Sequence, residues 1–225
     1  MRTCSLLLVF LFIQPASAEV ENYLLVFASD AVPYRPTRAH TYAAVVQIER
    51  QPGYPPKLLH LASLSWLPKN KIIRAFAPAE TGRNVPLHET IQTSLREQRI
   101  VHMWGPYRIR PELADKFRER QATVESSFQY RGACFLSKRK ICDCVRSIEE
   151  MITEKRRFIG VFGYGAASSS VVVKKAVPWI IHPQQSHAWV ATMIGLDRYP
   201  INRRAFGDFT SKWDQMKSAC CFRGR

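Results

Sequence analysis

The sequence predicts an α+β fold, in which an antiparallel sheet from the first half of the chain is packed against helices. Three observations support this class. The 225 residues are enough to bury a hydrophobic core. Short apolar runs alternate with proline-containing turns in the first half, and after Gly82 the apolar residues recur at helical spacing. Since no repeat and no long linker interrupts the chain, we expect one domain over residues 19–225.

The first eighteen residues have the pattern of a signal peptide. Arg2 precedes an apolar run over residues 6–13, and small residues end the segment at Ala18. We expect cleavage near Ala18 and a secreted or periplasmic mature protein. The run is about half as long as a membrane-spanning helix, and no later stretch reaches the roughly 20 apolar residues that one needs, so we expect no transmembrane segment.

Strand patterns follow one another in the first half. Residues 23–29 form a short apolar run, and His40–Arg50 is rich in strand-forming residues. Residues 57–67 and 71–77 give two further candidates. Prolines in the connecting segments cannot join a ladder, so the pattern predicts separate strands in an antiparallel meander.

Helical patterns dominate after Gly82. Pro86 and Pro111 suit helix starts, and the apolar residues that follow each of them recur every three or four positions. A third helix is predicted from near residue 137 or 143 to residue 155. Residues 100–104 and 171–181 have strand composition, and residues 206–216 fit a last helix. No phosphate-binding loop is present, and we expect no cofactor.

Five cysteines remain after residue 18, namely Cys134, Cys142, Cys144, Cys220 and Cys221. In an oxidising compartment they can form disulfides, but the odd number leaves at least one thiol for another role. The spacing does not determine the disulfide pattern. Four of these sulfurs would suit a tetrahedral zinc ion, although their spacing departs from the usual one, so a thiol-based metal or redox protein is one alternative.

Cys144 is the candidate nucleophile. If Asp143 caps the third helix, Cys144 occupies the first helical position, where free backbone N–H groups and the helix dipole favour a thiolate. If the helix instead begins near Ser137, the thiol is an ordinary buried side chain or part of a disulfide. A nucleophilic thiol also needs a base, usually histidine, and a polar group that orients that base.

Three histidines are candidates for these two roles. His40 opens a predicted strand, at a position where a cleft could form, and we assign it as the base. His60 lies in the next predicted strand and is assigned to orient His40. His187 also begins an apolar run and is the reserve base.

The order of these residues resembles papain-like thiol hydrolases of the permuted NlpC/P60 class, which includes the lecithin:retinol acyltransferase relatives. His40 in HTYAAVVQIE, His60 in LLHLASL and Cys144 in DCVRSI are similar to the histidine, the polar residue and the helix-opening cysteine of that family. The resemblance implies a papain-like cleft and a thiol that attacks an ester or amide carbonyl. Asp143 stands where the family has asparagine and Arg146 where it has histidine, so an inactive relative is also considered.

The positive charge predicts anionic partners. The net charge is +15, and it falls to +14 when residues 1–18, which include Arg2, are removed. Outside the cytoplasm, envelope polymers and lipid headgroups are the common anions. No motif for specific nucleic-acid recognition is present. We therefore expect a cysteine-dependent amide or ester hydrolase or acyltransferase that acts on an envelope component. The alternative is a non-catalytic, basic exported protein that binds anionic envelope polymers or lipid heads.

Overall fold

The computed structural model describes residues 17–70, 72–74, 78–132, 141–153 and 164–208, and it confirms the α+β class. The strands are β1 (Glu19–Asp30), β2 (His40–Arg50), β3 (Lys57–Leu64), β4 (Trp66–Pro68), β5 (Glu80–Asn84), β6 (Ile100–Ile109), β7 (Gln129–Tyr130), β8 (Ile141–Cys142) and β9 (Ile201–Arg204). The α-helices are α1 (Leu87–Arg96), α2 (Pro111–Ser127), α3 (Cys144–Ile152), α4 (Ala166–Ala176) and α5 (Ala188–Met193).

Two sheets share these strands. The larger one has the order β3-β2-β1-β6-β9, and its first three strands form the antiparallel meander that the sequence predicts. The smaller one has the order β4-β5-β7-β8. Ser65 separates β3 from β4, so the chain passes from one sheet to the other at this residue. The larger sheet therefore opens beside the start of β2.

β1 lies at the centre of the larger sheet, and this position explains its apolar sequence. Tyr23, Leu25 and Phe27 point into one core, whereas Leu24 and Val26 point into the other. A strand that is covered on both faces needs apolar residues at successive positions rather than at alternate ones. The continuous run that the sequence shows is thus the pattern of a central strand.

Helices cover both faces of the larger sheet. Ile91 of α1 and Val190 of α5 belong to the core on one face. Phe117 of α2, Ile148 of α3 and Val172 of α4 belong to the core on the other face. The helix that carries the candidate nucleophile therefore packs on the face opposite to α1.

Three predicted elements differ from the structure. Residues 171–181 were expected as a strand, but the segment continues α4 and then forms a 3-10 turn over Val177–Trp179. Of the predicted strand over residues 71–77, residues 72–74 are described, and they lie outside any strand. The strand predicted to stop before Gly105 continues to Ile109, because a register shift in its pairing with β1 accommodates the Gly105-Pro106 pair.

Several expectations fall on residues that the structure does not describe. These are most of the signal-peptide pattern, the side chains of Cys134, Cys220 and Cys221, and the predicted last helix beyond residue 208. Within the described ranges, none of the helices combines the length and the apolar character required to cross a bilayer.

Candidate active site

Cys144 is the first residue of α3, and Asp143 caps this helix. The Asp143 carboxylate accepts a hydrogen bond of 2.8 Å from the backbone N–H of Arg146, three residues into the helix. The apolar stripe of α3, which includes Ile148 and Ile152, anchors the helix on the core. The predicted cap is thus confirmed, and the structure places the thiol where the helix dipole is most positive.

The Cys144 sulfur is completely buried and is not in a disulfide. Burial and the Asp143 carboxylate raise the pKa of the thiol well above its ordinary value. Backbone hydrogen bonds from Thr41, Val145 and Cys144 itself act in the opposite direction. Because the raising effects are larger, the resting thiol is neutral at pH 7.

The contact with Thr41 brings the thiol to the start of β2. Thr41 directly follows His40, and its side chain is bound to the start of α4. The Thr41 Oγ1 accepts a hydrogen bond of 3.1 Å from the Gly165 N–H, and Ser169 Oγ lies 3.1 Å from the same oxygen. Helices α3 and α4 therefore both contact the first residues of β2, where the candidate base His40 lies.

The His40 ring is buried, with 1% of the residue exposed. Its Nε2 lies 2.9 Å from Ser65 Oγ, and its ring stacks on Tyr42 with 5.2 Å between centroids. The Nδ1 atom has no hydrogen-bond partner within the described part of the chain. Burial and the positive charge of Arg99 lower the pKa of His40 to about 3, so the ring is neutral at pH 7.

Ser65, rather than His60, is the polar partner of the His40 ring. His60 is exposed and is paired with Gln47 on β2, seven residues beyond His40. At about 3.3 Å per residue, this separation is about 23 Å along the strand. The sequence-based prediction that His60 orients His40 is therefore wrong. Within β3, only residues at its end approach the His40 ring, and Ser65 follows directly after that end.

His187 is also remote from the thiol. Its ring lies 5.1 Å from that of Tyr23, whereas the residue opposite His40 on β1 is Ser29. Six residues of extended strand span about 20 Å. The structure thus places Cys144 and His40 at the same end of β2 but on opposite faces of the larger sheet, since the thiol lies in the core under α3 and the His40 ring lies against α1. In the part of the chain that the structure describes, no hydrogen bond joins the thiol to the ring. His60 and His187 lie elsewhere on the sheet.

The sequence provided no signal for two polar residues of the site. Ser65 is a serine among apolar residues at a strand end, and Thr41 differs from other strand threonines only in its partner on α4. Buried Tyr130 is a third neighbour, since the thiol helps to raise the pKa of its hydroxyl after the larger effect of burial. All three lie near the start of β2 only because distant segments meet there.

The described ranges contain no group of three or more His, Cys, Asp or Glu side chains positioned to hold a metal ion. The zinc hypothesis also needed Cys220 and Cys221, which lie outside those ranges.

Replacing Asp143 with asparagine is expected to increase the reactivity of Cys144. Asparagine caps helices as well as aspartate does, so the change removes the charge that raises the thiol pKa and leaves α3 in place. Each unit by which the pKa falls gives about tenfold more thiolate at a fixed pH below it. The measurement is the rate of iodoacetamide modification of Cys144 from pH 7 to 10, followed by peptide mass spectrometry.

Asp143→Ala is the matched variant for this prediction. It also removes the charge, but it loses the cap and should cost about 1 kcal/mol of stability. An unchanged pH profile in Asp143→Asn would contradict the electrostatic effect of Asp143 on the thiol.

A scan against protein-family models and searches of curated proteins and of solved structures found no match for the chain.

Proposed function

We propose that this protein is a cysteine-dependent hydrolase or acyltransferase, with Cys144 as the nucleophile and His40 as the base. One observation carries the proposal. The buried sulfur at the tip of α3 lies near the backbone of Thr41, the residue that follows His40 in the chain. A thiol at a helix start and an imidazole oriented by a hydroxyl are the groups that nucleophilic acyl transfer requires, and the His40 ring has to turn away from α1 to reach the sulfur.

The reaction begins with neutral His40, whose Nδ1 carries the proton and whose Nε2 accepts a hydrogen bond from Ser65, while Ser65 in turn accepts one from Thr90. The ring turns from α1 toward the thiol, and Nε2 then accepts the proton of the Cys144 thiol while the sulfur attacks the carbonyl carbon of an ester or amide. The backbone N–H of Cys144 stabilises the negative charge that develops on the carbonyl oxygen. The imidazolium returns its proton to the leaving alcohol or amine. Water or a second acyl acceptor then releases the acyl group from the sulfur.

The resting site is a closed form of this machinery. Both the thiol and the imidazole are neutral at pH 7, because burial opposes charge on either group. Proton transfer therefore accompanies nucleophilic attack instead of preceding it. Access of substrate requires the residues around Cys144 to move, since the sulfur has no exposed surface.

The resemblance to the permuted NlpC/P60 class supports the same assignment. In this chain the order of histidine on an early strand, polar partner and helix-opening cysteine is kept, with Ser65 in the place of the second polar residue. Export through the predicted signal peptide and the net positive charge favour a substrate in an anionic envelope.

The experiment is acylation of the mature protein by p-nitrophenyl acetate. We expect a burst of p-nitrophenol and one acetyl group on Cys144, identified by peptide mass spectrometry. Cys144→Ser should lose the burst, whereas Cys142→Ser, on the adjacent strand β8, should keep it. Acetylation spread over lysines with no preference for Cys144 would overturn the assignment.

The complete burial of the Cys144 sulfur favours a second function, a non-catalytic basic protein that binds anionic envelope polymers. Exposed basic side chains occur on several elements of the described chain, among them Arg35, Arg38, Lys69, Arg74, Arg96 and Arg110. Binding of this kind weakens with salt, and it should not change in Cys144→Ala. Retention on immobilised teichoic acid or heparin that meets both conditions, together with no acylation of Cys144, would select this function over the first.

A further inference from the structure

A small cavity lies beside the His40 ring, on the face of the sheet that α1 covers. Its volume is about 20 Å³, and its walls include Leu67, Thr90, Thr93, Glu97 and Arg99. A cavity needs roughly 10–15 Å³ to hold a water molecule, so this one accommodates an occupant of one or a few atoms. Glu97 is exposed and lies at the wall of the cavity, which provides a route to solvent.

Three polar atoms at this cavity lack hydrogen-bond partners within the described chain. They are Nδ1 of His40, Oγ1 of Thr93 and Nε of Arg99, and each is buried. A buried donor without a partner costs about 1–3 kcal/mol, and native structures therefore keep few of them. Their concentration at one cavity indicates an occupant that accepts hydrogen bonds.

The charges indicate the sign of that occupant. Arg99 is a permanent cation with 14% of its side chain exposed. Its Nη2 donates to Glu97, which leaves the Nε–H without an acceptor. Ser65 and Thr90, the other hydroxyls near the His40 ring, already bond to each other at 2.9 Å. The remaining groups are a guanidinium N–H and a hydroxyl, which together suit a small anion.

We propose that this cavity binds a small monatomic anion, such as chloride, between Arg99, Thr93 and the ring of His40. Arg99 Nε and the Thr93 hydroxyl donate to the ion. The apolar wall that contains Leu67 excludes larger, hydrated anions. Chloride fits the size of the cavity better than a polyatomic anion does.

The ion would also regulate the proposed active site, and this part rests on the proposed function. Arg99 disfavours a proton on His40, so its charge opposes the step in which His40 accepts the thiol proton. An anion between the two groups offsets that repulsion and favours the imidazolium. Occupancy of the cavity should therefore speed the reaction of Cys144 without contacting the sulfur.

The test measures halide binding directly. The mature protein is titrated with sodium chloride at constant ionic strength, with methanesulfonate as the balancing anion, and ³⁵Cl line broadening is recorded. Crystals soaked in bromide give the position of the ion by anomalous diffraction. We expect saturable binding and a bromide peak in the cavity, both of which also persist in Cys144→Ser.

Three variants assign the binding to the cavity. Arg99→Met should weaken halide binding by more than about tenfold, and Thr93→Val by about threefold. Glu97→Gln removes the competing carboxylate and should tighten binding by about threefold. Because the Glu97 variant is expected to gain binding, a loss through misfolding cannot imitate it.

Each outcome has a consequence. A water molecule in the cavity with no saturable halide binding would overturn the anion site and leave the proposed function as it stands. Halide binding without any acylation of Cys144 would keep the site and overturn the proposed function. If halide binds and Cys144 reacts at the same rate with chloride as with methanesulfonate, the regulatory role is overturned; we expect a difference of at least about threefold.

Discussion

Replacing Gly165 with alanine is expected to lower the free energy of unfolding by about 3–5 kcal/mol. Gly165 lies immediately before α4 with φ +85° and ψ −149°, a backbone conformation that residues with a side chain rarely adopt. A Cβ atom at this position would lie 1.8 Å from Oδ1 of Asp30 and 3.2 Å from Cβ of Ala39. The substitution therefore adds steric overlap to backbone strain.

The surrounding hydrogen bonds prevent an easy escape from this overlap. Oδ2 of Asp30 accepts a hydrogen bond of 3.1 Å from the Ala166 N–H, so the carboxylate holds the first turn of α4. Gly165 itself bonds to Thr41 through both its N–H and its carbonyl oxygen. Moving either Asp30 or Gly165 would break contacts that fix the start of β2. The loss should thus reach the active site as well as the fold.

Gly195→Ala is the matched control for this prediction. Gly195 also has a positive φ, +71°, but the nearest atom to its Cβ position is 4.0 Å away. Only the strain of a left-handed residue is expected there, about 1–2 kcal/mol. The measurement is guanidinium-induced unfolding of both variants. Equal losses in the two variants would show that the overlap with Asp30 is relieved at little cost.

The fold was predictable from the sequence wherever one local pattern decided an element. The hairpins of β1, β2 and β3 follow from apolar runs bounded by prolines. Helix α3 begins where an aspartate precedes an apolar stripe. In α4, by contrast, three successive valines suggested a strand. Its buried residues, which include Val172, Val173 and Ala176, pack on the larger sheet, and this tertiary packing overrides the local preference for a strand.

The candidate site was predictable only in part, because strand register is not a local property. Cys144 and His40 each mark the start of an element, and such positions can be found in a sequence. The side chain that bonds to His40 depends on the register between β2 and β3 and on the residue at which β3 ends. A register irregularity between Gln47 and Ile48 contributes to that offset. The hydroxyl of Ser65 therefore occupies the place that the sequence motif suggested for His60.

Replacing His40 with glutamine is expected to slow the acylation of Cys144 at pH 7 by on the order of 100-fold or more. Glutamine can still bond to Ser65 but cannot accept the thiol proton. Burial raises the pKa of the thiol, so very little thiolate forms at pH 7 without a base. The measurement is the rate of acetyl transfer from p-nitrophenyl acetate to Cys144 between pH 6 and 11.

The pH profile separates the loss of a base from structural damage. As the pH rises toward the pKa of the thiol, hydroxide removes the proton and the rates of His40→Gln and of the native protein should converge. Damage to the site would instead lower the rate at every pH. Ser65→Ala should show a smaller loss, about tenfold, because the base remains but its ring is no longer held.

Histidines elsewhere on the sheet provide the controls. His60→Gln and His187→Gln should retain the native rate, since neither ring lies near the start of β2. A loss in either variant that matched the loss in His40→Gln would remove His40 from the role of base. Retained acylation in His40→Gln at pH 7 would do so as well, and it would leave Cys144 as a thiol that reacts without a general base.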